Sequence, residues 1–89
     1  MDDLPSLASL LITARGSLSI AEVARLVGCS RRAIYFYEVD GKLPKIGTLN
    51  DLVRAMNPDK ELIRRIYAAH KRDAVARNLA RAAKRKGAS

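Results

Sequence analysis

Apolar residues recur along this chain at spacings of three and four from one end almost to the other. In LPSLASLLITAR, Leu4, Leu7, Ala8, Leu11 and Ala14 share one face of a helix over residues 4–15. Asp2 and Asp3 would complement its positive start, Pro5 is tolerated in a first turn, and Gly16 suits its end. Ser19-Ile-Ala-Glu22 has the form of a capping box. It predicts a short helix over 20–27 with Ile20, Val23, Ala24 and Val27 inward. Gly28 breaks that helix, and Ser30 is placed to cap a third over 31–38. Asp40, Gly41 and Pro44 mark a loop. Thr48 and Asp51 resemble a cap for a fourth helix over 49–56, with Leu49, Leu52, Val53 and Met56 inward.

Asn57-Pro58 then reads as a restart: Asn as the cap, Pro at the first helical position, Asp59 and Glu61 in the first turn. From there to about Lys86 nothing breaks a helix, and the residues are good helix formers. No stretch alternates as a strand would, and no internal repeat is visible. The expected fold is all-α: a compact bundle of about five helices with a long basic C-terminal helix. The expected organisation is a helical domain over 1–57 followed by the helix and tail of 58–89.

The second and third helices have a more particular pattern. Ala24, Gly28 and Ile34 lie at spacings of four and six. Two short helices crossing at a tight turn need a small residue where they touch, which Ala24 supplies. The turn needs a residue tolerant of positive φ, which Gly28 supplies. The second helix needs an apolar anchor, which Ile34 supplies. That is the logic of a helix-turn-helix over 20–38.

Charge sharpens the picture. The 89 residues carry a formal charge of +8, distributed unevenly. Residues 1–19 hold one Arg against two Asp, residues 20–57 six basic groups against four acidic, and residues 58–89 ten against three. Such an excess suggests a polyanionic partner. The single Cys forbids an intrachain disulfide, and with one His it makes no zinc site. Cys29 is expected to be a small buried apolar residue. No cofactor or metal is expected, and no pairing of nucleophile and base suggests an enzyme. No run of about 18 apolar residues spans a membrane, and MDDLPSL is unlike a secretory signal, so a cytoplasmic protein is expected.

The stretch IAEVARLVGCSRRAIYFYE, followed by LP and TLNDLVRAM, resembles the Cro and phage-repressor-like (XRE) helix-turn-helix family over about residues 4–57. Arg15 ending the first helix, Ser30 opening the third, Glu38 closing it, and Pro44 with Thr48-Leu49 before the fourth all fit. The resemblance implies a lambda-repressor-like bundle that binds DNA, usually as a dimer. A second resemblance, to MerR-type regulators, rests on Ile34-x-x-Tyr37-Glu38-x-x-Gly41-x-Leu43-Pro44. KIGTLNDLVRAM departs from it, since those regulators carry a wing with Arg and Tyr there and normally lack a full helix before the motif.

Roles on the third helix follow from its period. With Ile34 inward, Tyr37 returns to the inner side after about 300° of rotation. Arg31, Arg32, Tyr35 and Phe36 then form a groove-facing side. Arg can bond guanine O6 and N7, and an aromatic edge can meet a thymine methyl. Ser19 and Ser30 at helix starts, with Lys42 and Lys45 in the loop, are expected to hold phosphates. Leu62, Ile66, Val75 and Leu79 are the expected dimer contacts, and Leu62, Ile63, Ile66 and Tyr67 pack on the domain or a partner. His70 is expected to be an ordinary polar position. The expected function is sequence-specific recognition of double-stranded DNA by a homodimeric regulator, a phage- or mobile-element-type repressor without a small-molecule ligand. The alternative is an architectural or RNA-binding protein dominated by the basic helix.

Overall fold

The computed structural model describes residues 5–88, and their side chains through residue 83. These residues form five helices: α1 (Leu7–Arg15), α2 (Ile20–Val27), α3 (Arg31–Glu38), α4 (Ile46–Met56) and α5 (Lys60–Ala88). No strand occurs among the described residues. The expected all-α class with a long final helix is therefore the observed one.

The helix ends show which local signals acted. Ser6 caps α1 by accepting from the Ser9 N–H at 3.1 Å, and Pro5 lies outside the helix. Leu4, Asp2 and Asp3 lie outside the described residues. The capping box at α2 is complete: Ser19 Oγ accepts from the Glu22 N–H at 3.0 Å, and Glu22 accepts from the Ser19 N–H at 2.8 Å. Gly28 ends α2 in the left-handed region at φ 84°, so that both its own N–H and that of Cys29 reach the Ala24 carbonyl. Ser30 caps α3 through the Ala33 N–H at 3.1 Å.

Two starts differ from expectation. Helix α4 begins at Ile46, with Lys45 at its cap and no side-chain cap bond, so Thr48 lies inside the first turn. Pro44 ends the loop, and Gly47 is tolerated where only a first turn is being built. Asn57 is not the cap of α5. It closes α4 in the left-handed region (φ 50°), its N–H donating to Val53 O, a conformation Asn tolerates better than most residues. Asp59 caps α5 instead, accepting from the Leu62 N–H at 2.8 Å, and Pro58 stands before the helix.

One core binds all five helices. Leu7, Leu10, Leu11 and Ala14 of α1 meet Val23 and Ala24 of α2, Ile34 of α3, and Leu49, Leu52, Val53 and Met56 of α4. Ile66 and Ala69 of α5 are fully buried in the same cluster. The first half of α5 thus completes the core, with Leu62, Ile63 and Tyr67 packed against it. Tyr67 reinforces it by donating from its hydroxyl to Asn50 Oδ1 at 2.5 Å. The molecule measures 47 × 31 × 20 Å. Its radius of gyration, 14.2 Å, exceeds the roughly 12 Å of a compact chain of this length because α5 extends beyond the bundle.

Candidate nucleic-acid interface

Helices α2 and α3, eight residues each, are joined by the three residues Gly28–Ser30. The motif positions lie as expected: Ala24 and Ile34 are buried at the junction, and Gly28 turns the chain. Cys29 is half-buried beside the core, and that burial pushes its thiol pKa up.

Helix α3 has two unlike sides. Its inner side carries Ile34 and, one turn on, Glu38, both buried, with Tyr37 half-buried against the core. Glu38 is held by Arg15 at the end of α1: Nε donates to Oε2 at 2.9 Å and the second nitrogen to Oε1 at 3.0 Å. The third guanidinium nitrogen donates to the Leu18 carbonyl at 2.8 Å. This bidentate pair clamps the rear of α3 to α1, and its partners are 20 and 4 % exposed. Helical periodicity alone does not reveal this pair. A signal was present, because Glu38 falls four residues after Ile34 on the inward stripe, where a carboxylate needs a cation.

The outer side carries Arg31, Arg32, Tyr35 and Phe36, all exposed. They line a shallow groove with Ile20 and Asp40. Tyr35 is 51 % exposed and Phe36 36 %, high values for aromatics in a chain that has four. The three adjacent aromatics are therefore divided, Tyr37 toward the core and the other two outward.

The two arginines occupy the first two positions of α3, whose first turn holds no acidic residue. The helix dipole disfavours cations there by some tenths of a kcal/mol each. Neither has an ion-pair partner among the described residues, whereas Arg15, Arg54, Arg64, Arg65 and Arg72 are all paired with carboxylates. Unpaired cations at an uncongenial helix end, on an exposed aromatic face, suit an external anion.

The loop after α3 adds to the same surface. Gly41 takes φ 71°, and the Lys42 N–H returns to the Phe36 carbonyl at 3.0 Å. This turn sets Lys42 Nζ 5.9 Å from the centre of the Phe36 ring. Lys45 is exposed at the α4 cap. Ser30 retains its capping role at the start of α3, beside Arg31. Ser19 is differently placed: its N–H and hydroxyl already serve Glu22, whose carboxylate occupies the helix start where a phosphate was expected. The Ser19 backbone N–H, then the Ser19 hydroxyl and Arg25, lower the Glu22 pKa.

The expected dimer residues separate into two pairs. Ile66 is wholly buried in the molecule's own core, and Leu62 is half-buried against it, so both serve the fold of one chain. Val75 and Leu79 are exposed. Ala68 is exposed, and Ala69 beside it is buried in the core. His70, expected as one more polar position, has a defined task. Its Nε2 donates to the Pro44 carbonyl at 2.7 Å and ties α5 to the α3–α4 loop. No trio of His, Cys, Asp or Glu side chains among the described residues could hold a metal ion. No single helix among them is long and apolar enough to cross a membrane. Compared with protein-family models, curated proteins and solved structures, the chain matches none.

Proposed function

We propose that this chain is a sequence-specific, double-stranded DNA-binding regulator of transcription, a homodimeric repressor of phage or mobile-element type acting in the cytoplasm. Helix α3 enters the major groove. The observation that carries this reading is the division of α3: its rear is fastened by Ile34 and the Arg15–Glu38 pair, while its front offers Arg31 and Arg32, without an ion-pair partner among the described residues, beside exposed Tyr35 and Phe36. A rigid backing is what lets side chains report base identity, since base contacts require a fixed register. Lys42 and Lys45 serve as phosphate anchors that set this register. In a dimer, two copies of α3 reach successive major grooves about 34 Å apart, and the operator is a palindrome or close to one. The resemblance of residues 4–57 to the Cro and phage-repressor-like family supports the same reading.

The exposed basic half of α5 favours a second reading, an architectural or RNA-binding protein with weak site preference. Substitution of both Arg31 and Arg32 by Ala separates the two. Under the first reading the variant loses sequence preference, with about 1–3 kcal/mol lost for each arginine that reads a base, measured by titration of preferred and scrambled duplexes. A small loss, equal on both duplexes, favours the second.

A further inference from the structure

The α3 surface leaves the distal half of α5 without a task. Residues 71–86 hold seven basic side chains against one acid, Asp73. From Val75 to Ala83 every residue is exposed, and neither Arg77 nor Arg81 is ion-paired among the described residues. The place of this half is as informative as its charge. His70 fastens α5 to the loop at Pro44. One turn further, Asp73 and Arg77 line a groove of about 330 Å³ together with Tyr37, Gly41 and Lys42. Lys42 in turn lies over Phe36 of the α3 face. Phe36, Lys42 and Arg77 therefore form a path from the recognition face to α5.

We propose that residues 71–88 form a phosphate-tracking arm whose occupant is the DNA duplex flanking the segment held by α3. The arm rests on the DNA-binding reading of α3 and deepens it. From Arg77 to Ala88 the helix covers about 16 Å at 1.5 Å per residue, a length along which duplex DNA presents roughly ten phosphate charges. A second copy of the chain suits this face poorly. Its apolar stripe is reduced to Val75 and Leu79 among alanines, and pairing two such helices would oppose arginines with little but Asp73 to offset them. Phosphate contacts carry no base information, so the arm adds affinity and salt dependence and leaves sequence preference alone.

The test uses the full chain, a fluorescein-labelled 30-bp random-sequence duplex pool and, beside it, any duplex that selection enriches. Arg77→Gln with Arg81→Gln is expected to make the plot of log affinity against log salt shallower by about 1.8, two phosphates at about 0.9 each, equally on all duplexes. Arg77→Lys with Arg81→Lys keeps the slope. Both sites are exposed, and unchanged helicity by circular dichroism verifies folding. An unchanged slope in the Gln variant overturns the arm. So does a change confined to self-association in sedimentation, which would assign the face to a second copy, or a slope change seen only with a single-stranded RNA probe. If the slope falls but no duplex is ever preferred, the arm stands and the base-reading role of α3 falls. If Arg31→Ala with Arg32→Ala abolishes preference while the Gln variant keeps its slope, the reverse holds.

Discussion

Arg15 and Glu38 join two helix ends through a carboxylate almost closed to solvent. Removing one member of such a pair strands the other charge. Arg15→Met is therefore expected to lower unfolding free energy by about 3–5 kcal/mol in urea titrations. Adding Glu38→Leu to that variant should recover much of the loss, because the stranded carboxylate is then gone. A loss under 1 kcal/mol for Arg15→Met would mean that the pair does not clamp α3. Gly28 poses a different residue-scale demand. It takes φ 84°, and a Cβ there would meet no atom within 4 Å. Gly28→Ala thus costs only backbone strain, about 1–2 kcal/mol, without a clash. The fronts and backs of α3 were legible because one apolar residue, Ile34, orients the whole helix. The charge pair was legible only in part: Glu38 falls on the inward stripe, but no spacing points from it to Arg15 on another helix.

At the scale of elements, α2 and α3 have the boundaries that their caps predict, because Ser19, Glu22, Gly28 and Ser30 each send a single message. The starts of α4 and α5 were misplaced because Thr48 and Asn57 could serve more than one role, and packing chose another. Asn57 in particular can cap a helix or end one. The box at α2 also makes a pH prediction. Glu22 has a lowered pKa in the folded chain, held first by the Ser19 backbone N–H. Its contribution to stability is complete above the unfolded glutamate value of about 4.3 and is lost as pH falls through the lower folded value. Glu22→Gln should be less stable than the parent at neutral pH, with the gap closing in acid. A constant gap from neutral to acid pH, measured by urea midpoints, would show that the carboxylate's charge plays no part.

Among the described residues, the molecule is a five-helix core beyond which the basic distal half of α5 extends. Ile66 and Ala69 show that the core claims α5 as far as its third turn. A chain ending after Asp73 is expected to keep its melting temperature within a few degrees, because the described residues that it loses are exposed from Val75 to Ala83. A chain ending before Lys60 is expected not to fold, since it opens the core at those two positions. This dual nature of α5 was hidden in the sequence: its basic composition is continuous across the point where burial ends, and only Ile66, Tyr67 and their neighbours distinguish the halves. The charge imbalance, by contrast, was legible from composition alone.

Whether α3 reads DNA sequence is decided by selection from a random duplex pool at about 150 mM salt, where phosphate attraction is partly screened. The expected result is enrichment of a palindrome whose half-sites lie about one helical turn apart, lost on substituting Arg31 and Arg32. Binding without any enriched sequence, retained only at low salt, would contradict it.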